Sequence, residues 1–514
     1  MAVGEAPTTL PPEEQPSLAQ LDATPTLARQ TMTYAVSGMI APALAVITLP
    51  VFARVFSPSE YGVLELGTTM TVLVLTLTDI GLVAAAQRSF YDYSTNDATA
   101  RRRVLWTALT TTTTVAAVVA VVVLALRGSL SSWLFGSRSE ATVVALIAAS
   151  ILPLNTVRFV SETMRLRFQA KQYLLTTVVA AVLTSGLAVG AVLVLDVGVE
   201  AVFAATAIGG AAASAYGIFV VRDTLAGGFS RDELRTMLAY GLPLIAGTTS
   251  AWALALVDRI ILNDLRSLDD VGQYAIANRL AALITLGMTA FLLAAGPFLF
   301  SLYSENPSLE KAVRARMLTY LTFILSLGAL AISLFARELI DVLAPRFSQA
   351  YEAVGPLAFG AVGYGIAALL TTGVALARRT GYLAALSLFS AALNIGLNFA
   401  LIPPFGFVGS AFATTAGYGL LATSYYWAGQ RVYPTPYEPR KVALTLGLAG
   451  ALAVFGVVPL GPRPVELAVK IASLVAFVVA VRVTGVMTPP EFAELRKFVV
   501  GMIPLGARPS PIRR

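Results

Sequence analysis

About fourteen apolar runs succeed one another between residues 31 and 486, with no interval longer than roughly twenty residues. A hydrocarbon core about 30 Å thick takes roughly 20 apolar residues of helix per crossing. The runs are continuous rather than alternating, so they read as helices and not as barrel strands. The pattern predicts spans over 31–54, 62–87, 103–126, 140–162, 173–195, 199–221, 239–263, 274–302, 317–336, 352–377, 382–402, 407–430, 441–460 and 464–486. The expected fold class is an all-α polytopic membrane protein. Composition agrees: 13% of residues are charged, against about 25% in a soluble chain.

The Lys and Arg residues set an orientation. With the first residues on the cytoplasmic side, about 26 of the 36 basic residues fall inside and about 10 outside, the asymmetry of an even number of spans with both ends inside. Residues 1–28, rich in Pro, Glu and Ala, read as a disordered cytoplasmic tail. They lack the basic start and apolar core of a signal peptide. Residues 487–514 read as a basic cytoplasmic tail. The net charge of +7 belongs to short clusters between spans, so it argues for membrane orientation and not for nucleic acid.

The chain repeats itself. AVFAATA at Ala201–Ala207 matches SAFATTA at Ser410–Ala416, each after a turn with Gly198 or Gly406 and a helix opening with Tyr173-Leu174 or Tyr382-Leu383. PVFARVFSPSEYG and DRIILNDLRSLDDVGQY close the first and seventh spans alike. The offset is about 209 residues throughout. This predicts two pseudo-symmetric six-helix lobes, 29–222 and 223–435, around a central cavity, with an extra helix pair at 436–486. Repeated lobes with a path between them are a common build for secondary transporters.

Charges kept within apolar spans cost at least about 2.5 kcal/mol at the bilayer centre and point to function. Arg54, Arg259 and Arg279 fall toward the outer face, Arg88 and Arg158 toward the inner. The planar, permanently charged guanidinium suits phosphate. These five are the candidate substrate-binding cations of a cationic cavity. Glu65, Asp79 and Asp258 are the carboxylates available for ion coupling. Arg158 and Glu162 stand one turn apart, spaced to pair. Snorkelling to the interface or simple pairing would explain each charge equally well. Asn394 and Asn398, also one turn apart, either line the cavity or hold helices together. Tyr34, Tyr240, Tyr364 and Tyr418 either stack on sugars or anchor at the interface. The run Thr110–Thr114 suits hydroxyl bonding back to the preceding turn.

There is no His, no Cys and no G-x-x-x-x-G-K-[ST]. P-loop hydrolysis, histidine-based metal chemistry and thiol chemistry are excluded. No enzyme activity, cofactor or metal is expected.

Five stretches then carry a resemblance: FARVFSPSEYGVLEL (Phe52–Leu66), GLVAAAQRSFYDY (Gly81–Tyr93), MRLRFQAKQYL (Met164–Leu174), VDRIILNDLRSLDDVGQYAIANRL (Val257–Leu280) and LNIGLNFALIPPFGFVGSAFATTAGY (Leu393–Tyr418). In order and spacing the chain resembles the polysaccharide, or lipid-linked oligosaccharide, flippase family of the multidrug/oligosaccharidyl-lipid/polysaccharide exporter superfamily. The resemblance implies a bacterial inner-membrane protein that moves undecaprenyl-pyrophosphate-linked oligosaccharide outward by alternating access, for O-antigen, capsule or exopolysaccharide. It also implies membrane lipids, a polysaccharide polymerase and chain-length proteins as partners. Two other readings stand beside it. A cation-coupled drug exporter of the same superfamily calls for acids facing the path. A non-transporting scaffold for polysaccharide synthesis calls for none of the charges held within spans.

Overall fold

Two serines start the pair of helices on which the two lobes meet. Ser57 receives the Glu60 backbone N–H on its hydroxyl at 3.3 Å, while its own N–H donates to the Glu60 carboxylate at 2.7 Å. This capping box, followed by Pro58 at the first helical position, satisfies N–H groups that a helix start otherwise leaves orphaned. Ser267 receives the Asp270 N–H in the same way at 3.2 Å. Asp97, Ser230 and Asn306 cap three further helices.

A computed structural model describes residues 24–94, 96–376, 381–458, 461–489 and 491–492. Most of both expected tails, and the loop arginines Arg378 and Arg379, lie outside the described residues. The spanning helices are α1 (Thr24–Val55), α2 (Pro58–Asp79, continued by Leu82–Asp92), α3 (Ala98–Ala125), α4 (Ala141–Leu166), α5 (Ala170–Val194), α6 (Glu200–Val221), α7 (Arg231–Leu265), α8 (Leu268–Glu305), α9 (Pro307–Leu334), α10 (Tyr351–Leu376), α13 (Pro439–Ala453) and α14 (Arg463–Val483). Between α10 and α13 runs one long element, Gly381–Val432.

Thirteen described helices are long and apolar enough to cross a membrane. One of them, Leu383–Val432, has 50 residues, about 75 Å at 1.5 Å per residue and far beyond one hydrocarbon core. It turns back at Gly406 (φ 59°, ψ −141°), in a conformation open to glycine and little else. Its halves, α11 (381–405) and α12 (407–432), form an antiparallel hairpin: a Cβ at Gly409 would stand 2.1 Å from the Leu401 carbonyl oxygen, and Ser410 Oγ donates to Asn398 Oδ1 at 2.8 Å. The thirteen therefore become fourteen crossings.

Packing partners recur in the two halves. α1 lies on α5 as α7 lies on the α11–α12 hairpin, α3 on α4 as α9 on α10, and α4 on α6 as α10 on the hairpin. α13 and α14 pack outside, against α9. There Phe477 stacks on Phe323 at 5.8 Å, and the buried Lys470 ammonium sits 2.6 Å from Glu338 and 2.8 Å from Glu466.

The halves join where α2 crosses α8. A Cβ on Gly62 would stand 2.1 Å from the Leu268 carbonyl oxygen, and one on Gly272 would stand 2.0 Å from that of Pro58. The contacts are reciprocal: each glycine lies one turn into its helix and rests on the first residue of the other. Only residues without a Cβ allow backbones this close. The crossing lies at the end of the bundle where α1 turns into α2 and α7 into α8, the end expected to face outward. The spans 62–87 and 274–302 read from hydropathy start several residues late, because the caps carry helix through polar sequence. α2 also breaks, at Ile80 (φ 42°) and Gly81 (φ 70°).

A methyl group added by Gly272→Ala forces α2 and α8 apart, at an overpacking cost of about 1–3 kcal/mol. The chain has no native cysteine, and Ser59 and Leu268 border one groove at this end. Cysteines placed at those two positions are expected to cross-link less in the Gly272→Ala background. An unchanged yield would mean that the crossing does not hold this end shut.

Candidate substrate cavity

Helical periodicity builds the walls of a cavity bordered by α1, α7, α8, α10 and α12. Thr414, Tyr418, Leu421 and Tyr425 form one stripe of α12 at three- and four-residue spacing, and Leu357, Ala361, Tyr364 and Thr371 form one of α10. Tyr274, Asn278, Thr285 and Thr289 form the facing stripe of α8. α7 adds Leu254, Ala255 and Arg259, and α1 closes the side with Gly38, Met39, Pro42, Ala45 and Val46. Its volume is about 710 Å³, in the ~300–1,000 Å³ range of small-molecule sites.

Arg259 and Arg279 are the charged residues that line this cavity; no described Asp, Glu or Lys does. Their carboxylate partners stand behind them. Asp258 is fully buried and accepts from the Arg259 backbone N–H at 3.0 Å, Arg259 Nη1 at 2.6 Å, Thr414 Oγ1 at 3.0 Å and the Tyr274 hydroxyl. Arg259 Nε donates to Glu65 Oε1 at 3.2 Å, and its guanidinium lies 5.1 Å from the Tyr274 ring centroid. Glu65 belongs to α2 and the two arginines to α7 and α8, so this ion pair crosses between the lobes.

Arg279 is held more loosely. Its Nη2 stands 3.9 Å from Glu65 Oε2 and its guanidinium 5.5 Å from the Tyr61 ring, while Nε makes no hydrogen bond. Two acids balance two bases, which is what allows four ions to leave water at a cost of several kcal/mol each. The neutral cluster nonetheless presents only its positive groups to the cavity, Arg279 more openly than Arg259. The longer α7 and α8 place both arginines inside their helices. Hydropathy alone puts them at helix ends.

The other expected site residues lie elsewhere. Arg54 is exposed and donates to the Val342 carbonyl at 2.8 Å, satisfying an end carbonyl of the short helix Ala336–Leu343. It does not line the cavity. Arg88 is exposed, its guanidinium 4.5 Å from the Tyr240 ring centroid. Arg158 pairs with Asp79 at 3.1 Å rather than with Glu162, which binds Arg165 at 2.9 Å and Gln87 at 2.6 Å. The second Asp79 oxygen accepts the Val83 N–H at 3.1 Å and so caps the helix that resumes after the break in α2. Neither Arg88 nor Arg158 lines the cavity. Asn394 and Asn398 are buried in the α11–α12 hairpin, where Asn398 Nδ2 donates to the Asn394 carbonyl at 2.9 Å. They hold that hairpin and do not line the cavity. Four threonines of the 110–114 run, Thr110, Thr111, Thr112 and Thr114, bond back one turn, Thr112 Oγ1 to the Ala108 carbonyl at 2.9 Å among them.

Sequence reasoning passed over Tyr274, Thr414 and Asn278. The first and last stand within the stretch that contains Asp258, Arg259 and Arg279, and share the helix of Arg279. Thr414 stands in the repeated SAFATTA.

Glu65→Gln removes the lobe-crossing carboxylate and leaves Arg259 to Asp258 alone. Breaking one side of a buried pair costs about 3–5 kcal/mol. Unfolding of the full chain in nanodiscs, followed by tryptophan fluorescence, is expected to show that loss, with part regained in Glu65→Gln/Arg259→Gln. Additive losses would dissolve the coupling.

Residues 27–303 match a family described as polysaccharide biosynthesis protein. An uncharacterised membrane protein of Methanocaldococcus jannaschii is 24% identical over 245 residues, which cover 45% of this chain and 45% of that protein. The match thus spans less than half the length of that curated relative. Among solved structures, a lipid II flippase MurJ in an inward closed conformation superposes with TM-score 0.69 at 10% identity, over 87% of this chain and 98% of that one. An inward-facing multidrug resistance MATE family transporter of the MOP superfamily gives 0.65 at 16% identity, over 77% and 98%. A MOP superfamily transporter of Pyrococcus furiosus gives 0.57 at 16%, over 79% and 96%. At such identities the likeness is one of fold. The family match, in contrast, runs through just over half of the chain and takes in α1 to α8 with Glu65, Asp258, Arg259 and Arg279. The chain belongs to the polysaccharide biosynthesis protein family and is a multi-pass membrane protein with the fold seen in MOP superfamily transporters.

Proposed function

We propose that this protein carries a lipid-linked oligosaccharide with an anionic, phosphate-bearing head across the membrane, by alternating access. The observation that carries the reading is the sign of the cavity wall: both charged residues on it are arginines, and the acids that neutralise them face away. The carrier lipid we infer is undecaprenyl pyrophosphate, the membrane the bacterial inner membrane with both termini cytoplasmic, and the product a surface polysaccharide. A polymerase and chain-length proteins are the corresponding partners.

The geometry supplies a mechanism. A phosphate entering the cavity meets Arg279 first, because its side chain is 23% exposed and that of Arg259 only 3%. Phosphate then competes with Glu65 for the guanidinium, by the same charge-assisted bonding. Arg259 keeps Asp258, on its own helix, whatever happens to Glu65. Drawing the arginines toward substrate therefore weakens the contact that ties α2 to α7 and α8. Substrate binding and release of the α7–α8 end are coupled through one carboxylate. A drug exporter for organic cations fits less well, since no described acid lines the wall. A pure scaffold would have no use for a cavity of this size with two arginines on its wall.

Proteoliposomes holding a fluorescent undecaprenyl-pyrophosphate-linked saccharide test the reading. The wild type is expected to move it between leaflets. Arg279→Gln is expected to slow it about tenfold or more, since a bond to a charged group is worth about 1.5–3 kcal/mol. Efflux of a cationic dye with no saccharide movement would overturn the reading.

A further inference from the structure

We infer that the tyrosine wall of α10 and α12 is a sugar-recognition subsite, which binds the residues of the glycan nearest the pyrophosphate. The inference rests on the phosphate reading above and adds to it what the rest of the cavity selects.

Tyr364 and Tyr418 lie side by side, ring centroids 5.1 Å apart and planes at 49°. Tyr364 is 40% exposed although it stands in the middle of α10, and that exposure is to the cavity. Neither hydroxyl has a hydrogen-bond partner among the described residues. Further along the same stripe of α12, the Tyr425 hydroxyl is engaged by Ser387 Oγ at 2.6 Å. The facing stripe of α8 carries Asn278, whose amide also has no partner among the described residues.

These features fit one chemistry. A pyranose ring has an apolar C–H face and a rim of hydroxyls. The face packs on an aromatic ring, and the rim needs donors and acceptors at the side. A prenyl chain has no use for a row of free hydroxyls and an amide, and a phosphate has no use for tyrosine rings. A cavity with an aromatic floor and a few convergent polar groups orients such a ligand.

The order along the helix fits as well. Thr414 touches the Asp258–Arg259 cluster. At 1.5 Å per residue, Tyr418 lies about 6 Å and Tyr425 about 16 Å further along α12. A pyrophosphate at the arginines would place the first sugar beside Tyr418 and Tyr364, and the next toward Tyr425. The tyrosines would then set which glycans the protein accepts, and Arg279 would hold the part that all of them share.

Binding to the full chain in nanodiscs separates the two parts. The probes are farnesyl pyrophosphate and the same lipid bearing one N-acetylhexosamine. In the wild type the sugar is expected to tighten binding about tenfold, equivalent to about 1.4 kcal/mol of added contact. Tyr364→Leu and Tyr418→Leu are expected to lose that gain and still bind farnesyl pyrophosphate. Tyr364→Phe, which keeps the ring, is expected to retain most of it. Arg279→Gln is expected to weaken both probes alike. A wild type that binds both probes equally well would overturn the sugar subsite and leave the phosphate reading standing. Leucine variants that weaken both probes to the same degree would overturn it too, since the tyrosines would then be structural. A wild type that binds neither probe would overturn both the subsite and the reading beneath it.

Discussion

Two glycines, each seated on the first carbonyl of the other's helix, bring α2 and α8 into backbone contact. The rest of the site depends on that approach. It sets Glu65 of one lobe within reach of Arg259 and Arg279 of the other. The caps at Ser57 and Ser267 matter for the same reason. They start both helices early enough for Gly62 and Gly272 to be helical where the chains cross.

The ionic cluster at this crossing does two jobs through a single arrangement. As a whole it is neutral, so it survives burial. Toward the cavity it is positive, because the carboxylates lie behind the guanidiniums. Had the same four residues been turned about, the wall would attract cations. Under the proposed function, selectivity for charge follows from which partner faces the cavity, more than from how many acids and bases the spans contain.

Much of the architecture was legible in the sequence. The number of crossings follows from run length and the repeat from recurring short stretches. Arg259, Arg279, Asp258 and Glu65 stood out because charge within a span is costly. Their pairing was not legible, since Glu65 and Arg259 stand 194 residues apart and helical spacing relates only near neighbours. Helix starts were read late because hydropathy ends a run at its first polar residues, and helix continues through them once a serine caps it. Arg54 looked like its fellow arginines, but its partner is an end carbonyl of a short helix that no apolar run announces. Asn394 and Asn398 share a face, as their spacing says. That the face meets α12 and not the cavity depends on the turn at Gly406. Tyr364 and Tyr418 are plain aromatic residues in an apolar run until tertiary packing sets them together.

Side-specific labelling tests the central claim most directly, that the Glu65 contact keeps the cavity shut at the α7–α8 end. A single cysteine at Thr285, in the middle of the cavity wall, can be exposed to a membrane-impermeant maleimide from either face of oriented vesicles. In the otherwise native chain it is expected to react from the face opposite the α7–α8 turn. With Glu65→Gln added, reaction from the α7–α8 face should appear. The same one-sided pattern in both backgrounds, or reaction from the α7–α8 face while Glu65 is intact, would contradict the account.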